Sequence, residues 1–192
     1  GIYSAVEVTT YREDSTEMHY YVKGMGLIKS EYISNDKTMH VVSELESIEK
    51  DVPFTDRMRV YFPQFEKDRI VYIDREFEIK TNESMKYKFQ KELKVIPDGS
   101  DLAKVLTKNT QVLSISLDEE KDTVTVDLSS DFIREMNAGS SFEAMLLQCI
   151  AYTFGGYYQK GHVIILIDGK PYESGHILMK EGESIKVDTE NI

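Results

Sequence analysis

The groups able to do chemistry crowd into Asp127 to Gly156, DLSSDFIREMNAGSSFEAMLLQCIAYTFGG, with four serines, the only cysteine and several carboxylates. A nucleophilic serine needs a base within hydrogen-bond reach and donors for the oxyanion. Asn137-Ala-Gly-Ser-Ser-Phe does not match the G-x-S-x-G elbow that presents such a serine. Ser140 stands three residues before Glu143, the spacing of a capping box, and is expected to cap a helix. Ser129 and Ser130 read as turn formers. Cys149 lies in an apolar stripe beside Leu147 and Ile150, the place of a buried small hydrophobe rather than an activated thiol.

The histidines are His19, His40, His162 and His176. None forms H-x-x-x-H or neighbours a second cysteine, so no zinc spacing is present. His162 and Asp168 flank an extended run, about 20 Å apart at roughly 3.3 Å per residue, too far for an acid–base pair. The acidic run Asp118 to Asp122 lacks the alternation and glycine of a calcium loop and reads as a hairpin tip. No catalytic residue, metal or cofactor is assigned, and an enzyme is not expected.

The 192 residues carry a formal charge of −11. That argues against nucleic acid, whose phosphates want a basic surface. It also disfavours electrostatic docking on anionic lipid or wall polymer. The composition, 41% hydrophobic and 30% charged, is that of a globular protein. No run of 18 apolar residues is long enough to span a membrane. One cysteine makes no internal disulfide and leaves the redox compartment open. The opening GIYSAVEVTTY reads as the middle of a sheet, so the chain is expected to be a piece of a longer protein, with no signal segment of its own.

The elements that must position these groups follow from periodicity. SAVEVTTY, MHYYV and GLIKSEYI read as an antiparallel meander, with VVSELESIEK a last strand or short helix. A boundary is expected within residues 50–56. MRVYF and RIVYIDREFEI, joined by the loop PQFEKD, form a pair. Thr81 or Asn82 caps a helix carrying Met85, Phe89 and Leu93. LAKVL is a possible helical turn. VLSISL and TVTVDL each show one apolar face. Phe142, Met145, Leu146, Cys149, Ile150 and Thr153 make one helical stripe, stopped by Gly155-Gly156. HVIILI is expected as an interior strand covered on both faces, followed by a tight turn at Asp168-Gly169. The tail HILMKEGESIKV is a further strand or irregular cover.

The expected class is α+β: a mixed, mostly antiparallel sheet with two amphipathic helices on one face, plus an N-terminal β-meander. Residues 1–52 are a β-rich segment, the remnant of a larger domain, and residues 57–187 a second domain.

Residues 80–108 hold seven lysines and four acids, a charge of +3 that leaves −14 for the rest. This is a solvated helix face or a contact for an acidic partner, with Lys86, Lys91 and Lys94 as the partner-binding candidates. Tyr152, Tyr157 and Tyr158 raise the alternative of sugar stacking in a cell-wall glycan or peptide-binding module. A hydrolase is the remaining alternative, without a constellation to support it.

RVYF, VLSISL, TVTVDLSSDF, GSSFEAMLLQCIAYTF and HVIILIDGKP, in this order over residues 57–175, resemble the GerMN domain of sporulation and spore germination. VDLSSDF (126–132), LLQCIAYTF (146–154) and VIILIDG (163–169) carry it most specifically. The family often has Gly-Pro after its first helix and Pro-x-Gly before the next strand; this chain has VIPDG (95–99) and TKN (107–109). YYVKGMGLIKSEY resembles the closing strands of a domain in lipoproteins of Gram-positive bacteria. The resemblance implies a fold similar to ring-building motif domains and no catalytic residues. It implies an extracytoplasmic module of the cell envelope, anchored as a lipoprotein, that assembles with envelope or sporulation proteins or with itself.

Overall fold

The computed structural model describes residues 3–50, 52–80 and 82–189. Thr81, one of the two expected helix caps, lies outside them, as do the first two residues of the opening run. The chain divides into two compact units, Gly1–Val52 and Pro53–Ile192.

In the first unit, runs rich in β-branched and aromatic residues form β1 (Val6–Tyr11), β2 (Ser15–Val22), β3 (Gly26–Ser34) and β4 (His40–Glu44). They pair as an antiparallel sheet in the order β1-β2-β3-β4. Gly24 and Gly26 turn the chain with φ of 81° and 85°, where a side chain would be strained. A bulge follows Tyr20, because Tyr20 faces Lys29 while Tyr21 faces Leu27. Cross-strand partners share a face. One face therefore gathers Val6, Val8, Tyr21, Leu27, Tyr32 and Val41, with Glu17 and His19 among them. The other carries Glu7, Lys29, Glu31, His40 and Glu44 together with Met18, Tyr20, Ile33 and Val42, and there Lys29 and His40 pair with Glu31. The one buried residue between positions 3 and 50 is Ser15.

The second unit opens with β5 (Phe54–Gln64) and β6 (Arg69–Ile79), an antiparallel hairpin. β5 runs on through Pro63 and Gln64, so the connection is shorter than PQFEKD and closes on Asp68 in the left-handed region. α1 (Met85–Glu92) starts from Ser84. Asn82 does not cap it; its φ of 69° places it in a left-handed turn ahead of the helix. LAKVL forms no helix. The N–H groups of Val105 and Leu106 both bond Leu93 O, which holds this segment irregular against the core.

β7 (Val112–Asp118) and β8 (Thr123–Leu128) form the expected hairpin, with Val124, Val126 and Leu128 inward. A short α2 (Asp131–Met136) follows where only a turn was expected. Next come α3 (Ser140–Tyr158), β9 (His162–Ile167), β10 (Lys170–Pro171) and β11 (Ile185–Lys186). β9 runs parallel to β8, which needs a long crossover, and α3 supplies it. β10 and β11 pair antiparallel to β9, so β9 is interior to the sheet. Asp168 and Gly169, with φ of 47° and 75°, make the expected tight turn.

The fold is thus mixed α+β with two longer helices, but two expectations about α3 are corrected. The hairpin β5–β6 is not part of the mixed sheet, and α3 packs on β5 as well as on β8 and β9. Its buried residues include Met145, Leu146, Leu147, Cys149, Ile150, Ala151 and Phe154, a much wider arc than one stripe, which leaves Ser141, Ala144 and Gln148 exposed. The helix also passes through Gly155-Gly156 and ends at Gln159 in the left-handed region. Gly155 serves packing: a Cβ there would meet Val187 Cγ2 at 2.3 Å. The ring of Phe154 stacks on Phe89 of α1 with centroids 4.2 Å apart, joining the two helices in the core.

Candidate interaction site

The reactive groups are occupied structurally. Ser140 is not a cap; Gly139 is, and its carbonyl accepts the Glu143 N–H at 2.9 Å. The Glu143 side chain turns inward and is fully buried. Its Oε1 accepts the Tyr172 hydroxyl at 2.8 Å and the Ser174 hydroxyl; Oε2 has no partner among the described residues. Ser174 Oγ also accepts the N–H groups of His176 and Ile177, so residues 172–177 hang from α3 through one carboxylate. Burial, then the Glu143 carboxylate, pushes the Tyr172 hydroxyl far above its ordinary range. The sequence signal for this site was present: Glu143 precedes Leu146, Leu147 and Ile150 by helical spacing, and they are all buried.

Cys149 is fully buried, and burial pushes its thiol up, away from the reactive thiolate. His162 and Asp168 stand at opposite ends of β9; His162 Nδ1 is 3.3 Å from Ser184 Oγ, and Asp168 accepts the Ser130 N–H. The tip 118–122 is tied to itself, with the Lys121 N–H on Asp118 at 3.0 Å. No group of three or more metal-ligating side chains occurs among the described residues.

The lysines of α1 have separate tasks. Lys86 Nζ donates to Leu113 O at 3.2 Å, and Gln90 Oε1 accepts the Val112 N–H at 2.9 Å. These two side chains, one helical turn apart, cover the edge of β7 where Leu113 bulges from the ladder. Lys94 Nζ donates to Lys108 O at 2.8 Å, and its partial burial lowers its pKa. Lys91 is exposed, 3.7 Å from Glu92. The three lysines thus do not form one free basic face.

Tyr152, Tyr157 and Tyr158 are packed. Tyr152 meets Tyr61 edge-on at 5.5 Å, and Tyr157 meets Phe89 and Tyr158 edge-on at 5.2 and 5.0 Å. The Tyr157 hydroxyl donates to Asp56 Oδ2 at 2.7 Å. Burial, then this bond, raises its pKa. Tyr152 is buried, and Tyr157 and Tyr158 are partly buried.

An open groove of about 920 Å³ lies along the β5–β6 hairpin beside the last turn of α3, lined by Asp56, Arg57, Arg59, Tyr61, Gly156 and Tyr157 and, from β6, by Asp74, Arg75 and Glu76. Arg57 pairs with Glu76 at 3.1 Å and Arg59 with Asp74 at 3.3 Å. The Arg59 guanidinium also lies over the Tyr72 ring, 4.0 Å from its centroid. Sequence reading missed this groove; its one signal is the alternation Arg57, Met58, Arg59, Val60, with the arginines exposed and Met58 and Val60 buried.

A β-hairpin, a largely buried helix and a mixed sheet define an α+β domain. The chain belongs to the Germane family, described as sporulation and spore germination, by a match over residues 59–173. No curated protein matches it significantly. Among solved structures it is similar to the tandem GerMN domains of the sporulation protein GerM from Bacillus subtilis, at 16% identity and TM-score 0.48, covering 76% of this chain and 49% of that one. The chain therefore spans about half the length of that relative. It is also similar to the first GerMN domain of the same protein, at 16% identity and TM-score 0.48, covering 67% and 97%. A Clostridium perfringens protein described as a lipoprotein matches at 19% identity and TM-score 0.44, covering 73% and 93%.

Proposed function

We propose that the chain is a non-enzymatic protein-interaction and assembly module of the bacterial cell envelope, acting outside the cytoplasm in sporulation or spore germination. Membership of the Germane family supports the process. The observation that carries the mode of action is the sheet β1–β4. The face that holds Val8 and Val41 leaves Val6 66% exposed, Val41 52% and Val8 46%, and exposes more large apolar side chains than the opposite face. A small antiparallel sheet gains stability when such side chains are covered. Cover by the surface of another protein is the role this reading assigns to it. Lys91 is a second contact, for an acidic partner surface; Lys86 and Lys94 act there chiefly by holding the backbone to which they are bonded.

The test is recovery of the membrane-anchored chain from envelope extracts after gentle solubilisation. The wild type is expected to retain a reproducible set of envelope proteins. Val8→Glu with Val41→Glu loses them at least tenfold while circular dichroism stays native. Unchanged recovery by that variant, or retention on protein-free peptidoglycan at low salt instead, contradicts the reading.

A further inference from the structure

We propose that the outer edge of β5, from Arg57 to Tyr61, takes up a short extended acidic peptide as an added strand. This rests on the interaction-module reading and gives it a partner chemistry.

Among the described residues β5 pairs only with β6, on one side. Two bonds reveal which residues face the other side. The Tyr61 N–H donates to Thr153 Oγ1 at 3.0 Å, and Pro63 O accepts the Ala103 N–H at 2.9 Å. Outward groups recur at every second residue of a strand, so Arg57 and Arg59 also direct their N–H and C=O away from β6. Asp56 Oδ1 takes the Arg57 N–H at 2.8 Å. The Arg59 N–H and C=O and the Arg57 C=O have no partner among the described residues. Arg59 thus presents the donor–acceptor pair that an antiparallel neighbour exchanges with the residue opposite it.

The space fits a short segment. Arg57 to Tyr61 spans about 13 Å of extended chain. The packed pair Tyr61–Tyr152 bounds one end, and Asp56 bonded to Tyr157 bounds the other. Gly156 leaves the wall open, since a Cβ there would touch nothing within 4 Å.

The side chains beside an added strand are Arg57 and Arg59, two residues apart on one face. Carboxylates at alternate positions of a bound segment meet both guanidiniums. Glu76 and Asp74 hold these arginines from the β6 side in exposed pairs, which are weak, and a guanidinium has donors for a second carboxylate. Asp56 is already occupied on both oxygens. A basic segment would meet two like charges, and so would the same edge of a second copy.

Fluorescence anisotropy of the full chain with labelled Glu-Val-Glu-Val-Glu and Lys-Val-Lys-Val-Lys tests the proposal. The acidic peptide is expected to bind, and the basic one at least tenfold more weakly. Arg57→Glu with Arg59→Glu should weaken the acidic peptide at least tenfold. Arg59→Pro, which removes an outward donor and none from the ladder with β6, should do the same, with the urea midpoint of each variant checking the fold. Equal binding of the two peptides, no acidic binding at millimolar peptide, or unchanged binding by the arginine-to-glutamate variant overturns the site. An acidic preference that survives Arg59→Pro in a folded chain overturns the added strand. Because the Val8 and Val41 test does not involve β5, failure here leaves the interaction-module reading standing. Loss of that reading alone leaves peptide binding intact.

Discussion

Tyr172 and Glu143 meet through a 2.8 Å hydrogen bond with both side chains fully buried. The bond joins the loop after β10 to the first turn of α3. Tyr172→Phe removes one of two hydroxyls on Glu143 Oε1 and is expected to cost about 1–3 kcal/mol, since the buried carboxylate loses a donor. Glu143→Ala strands both hydroxyls and should cost more, while Glu143→Gln keeps an acceptor and should cost less. Urea midpoints of the four chains check the order.

Cys149 reports on the second unit, because it is buried in α3 and is the chain's only thiol. The native chain is expected to react negligibly with a disulfide reagent, and the denatured chain to release one equivalent. Fast native labelling would show that α3 is not enclosed as described.

α3 also gives the largest expected core effects. Leu146→Ala should cost roughly 2–5 kcal/mol through lost burial and a residual cavity. Gly155→Ala should cost about 1–3 kcal/mol by overpacking, because its Cβ would collide with Val187. Thermal or urea unfolding measures both.

Lys86 and Lys91 separate structural from exposed charge. Lys86→Ala loses the bond to Leu113 O and is expected to destabilise by about 0.5–1.5 kcal/mol. Lys91→Ala should stay within about 0.5 kcal/mol of wild type. Amide exchange at β7 should rise only in the Lys86 variant.

Asp36 gives a pH dependence in the first unit. The Ser34 hydroxyl, then the Thr38 N–H and hydroxyl, hold its pKa down at about 2, against 3.8 ordinarily. The folded state therefore binds this proton less tightly than the unfolded chain. The turn's contribution is full above pH 4 and is lost as pH falls through about 2. Carboxyl titration by NMR should show that midpoint, and Asp36→Asn should remove the Thr38 amide's acid transition.

The local elements were largely readable from periodicity: the meander, the pairing of MRVYF with RIVYIDREFEI, β7–β8, α3 and the Asp168-Gly169 turn, although β5 starts at Phe54, inside the expected boundary. The errors arose where one pattern has two physical outcomes. Ser140 and Glu143 have capping-box spacing, yet the same spacing puts Glu143 on a buried face, and burial beside Tyr172 prevails. The Phe142-to-Thr153 stripe is real, but Leu147, Ala151 and Phe154 are buried on other faces, Phe154 against Phe89 of α1. LAKVL is apolar without being helical, since Leu93 O captures two of its N–H groups. The β5 groove depends on which way backbone groups point and what stands beside them, and side-chain alternation alone does not give that. Of the three candidate lysines, Lys86 and Lys94 are bonded to backbone carbonyls, while Lys91 is exposed beside Glu92.

The most direct test of the central claim is site-specific photo-crosslinking in sporulating cells. Probes go at Val8 and Val41 on one face of the first sheet and at Glu7 on the opposite face. Reproducible cross-links from Val8 and Val41 to the same envelope protein, and few from Glu7, are the predicted result. No protein cross-links from either face, with the chain held on wall glycan, would contradict it.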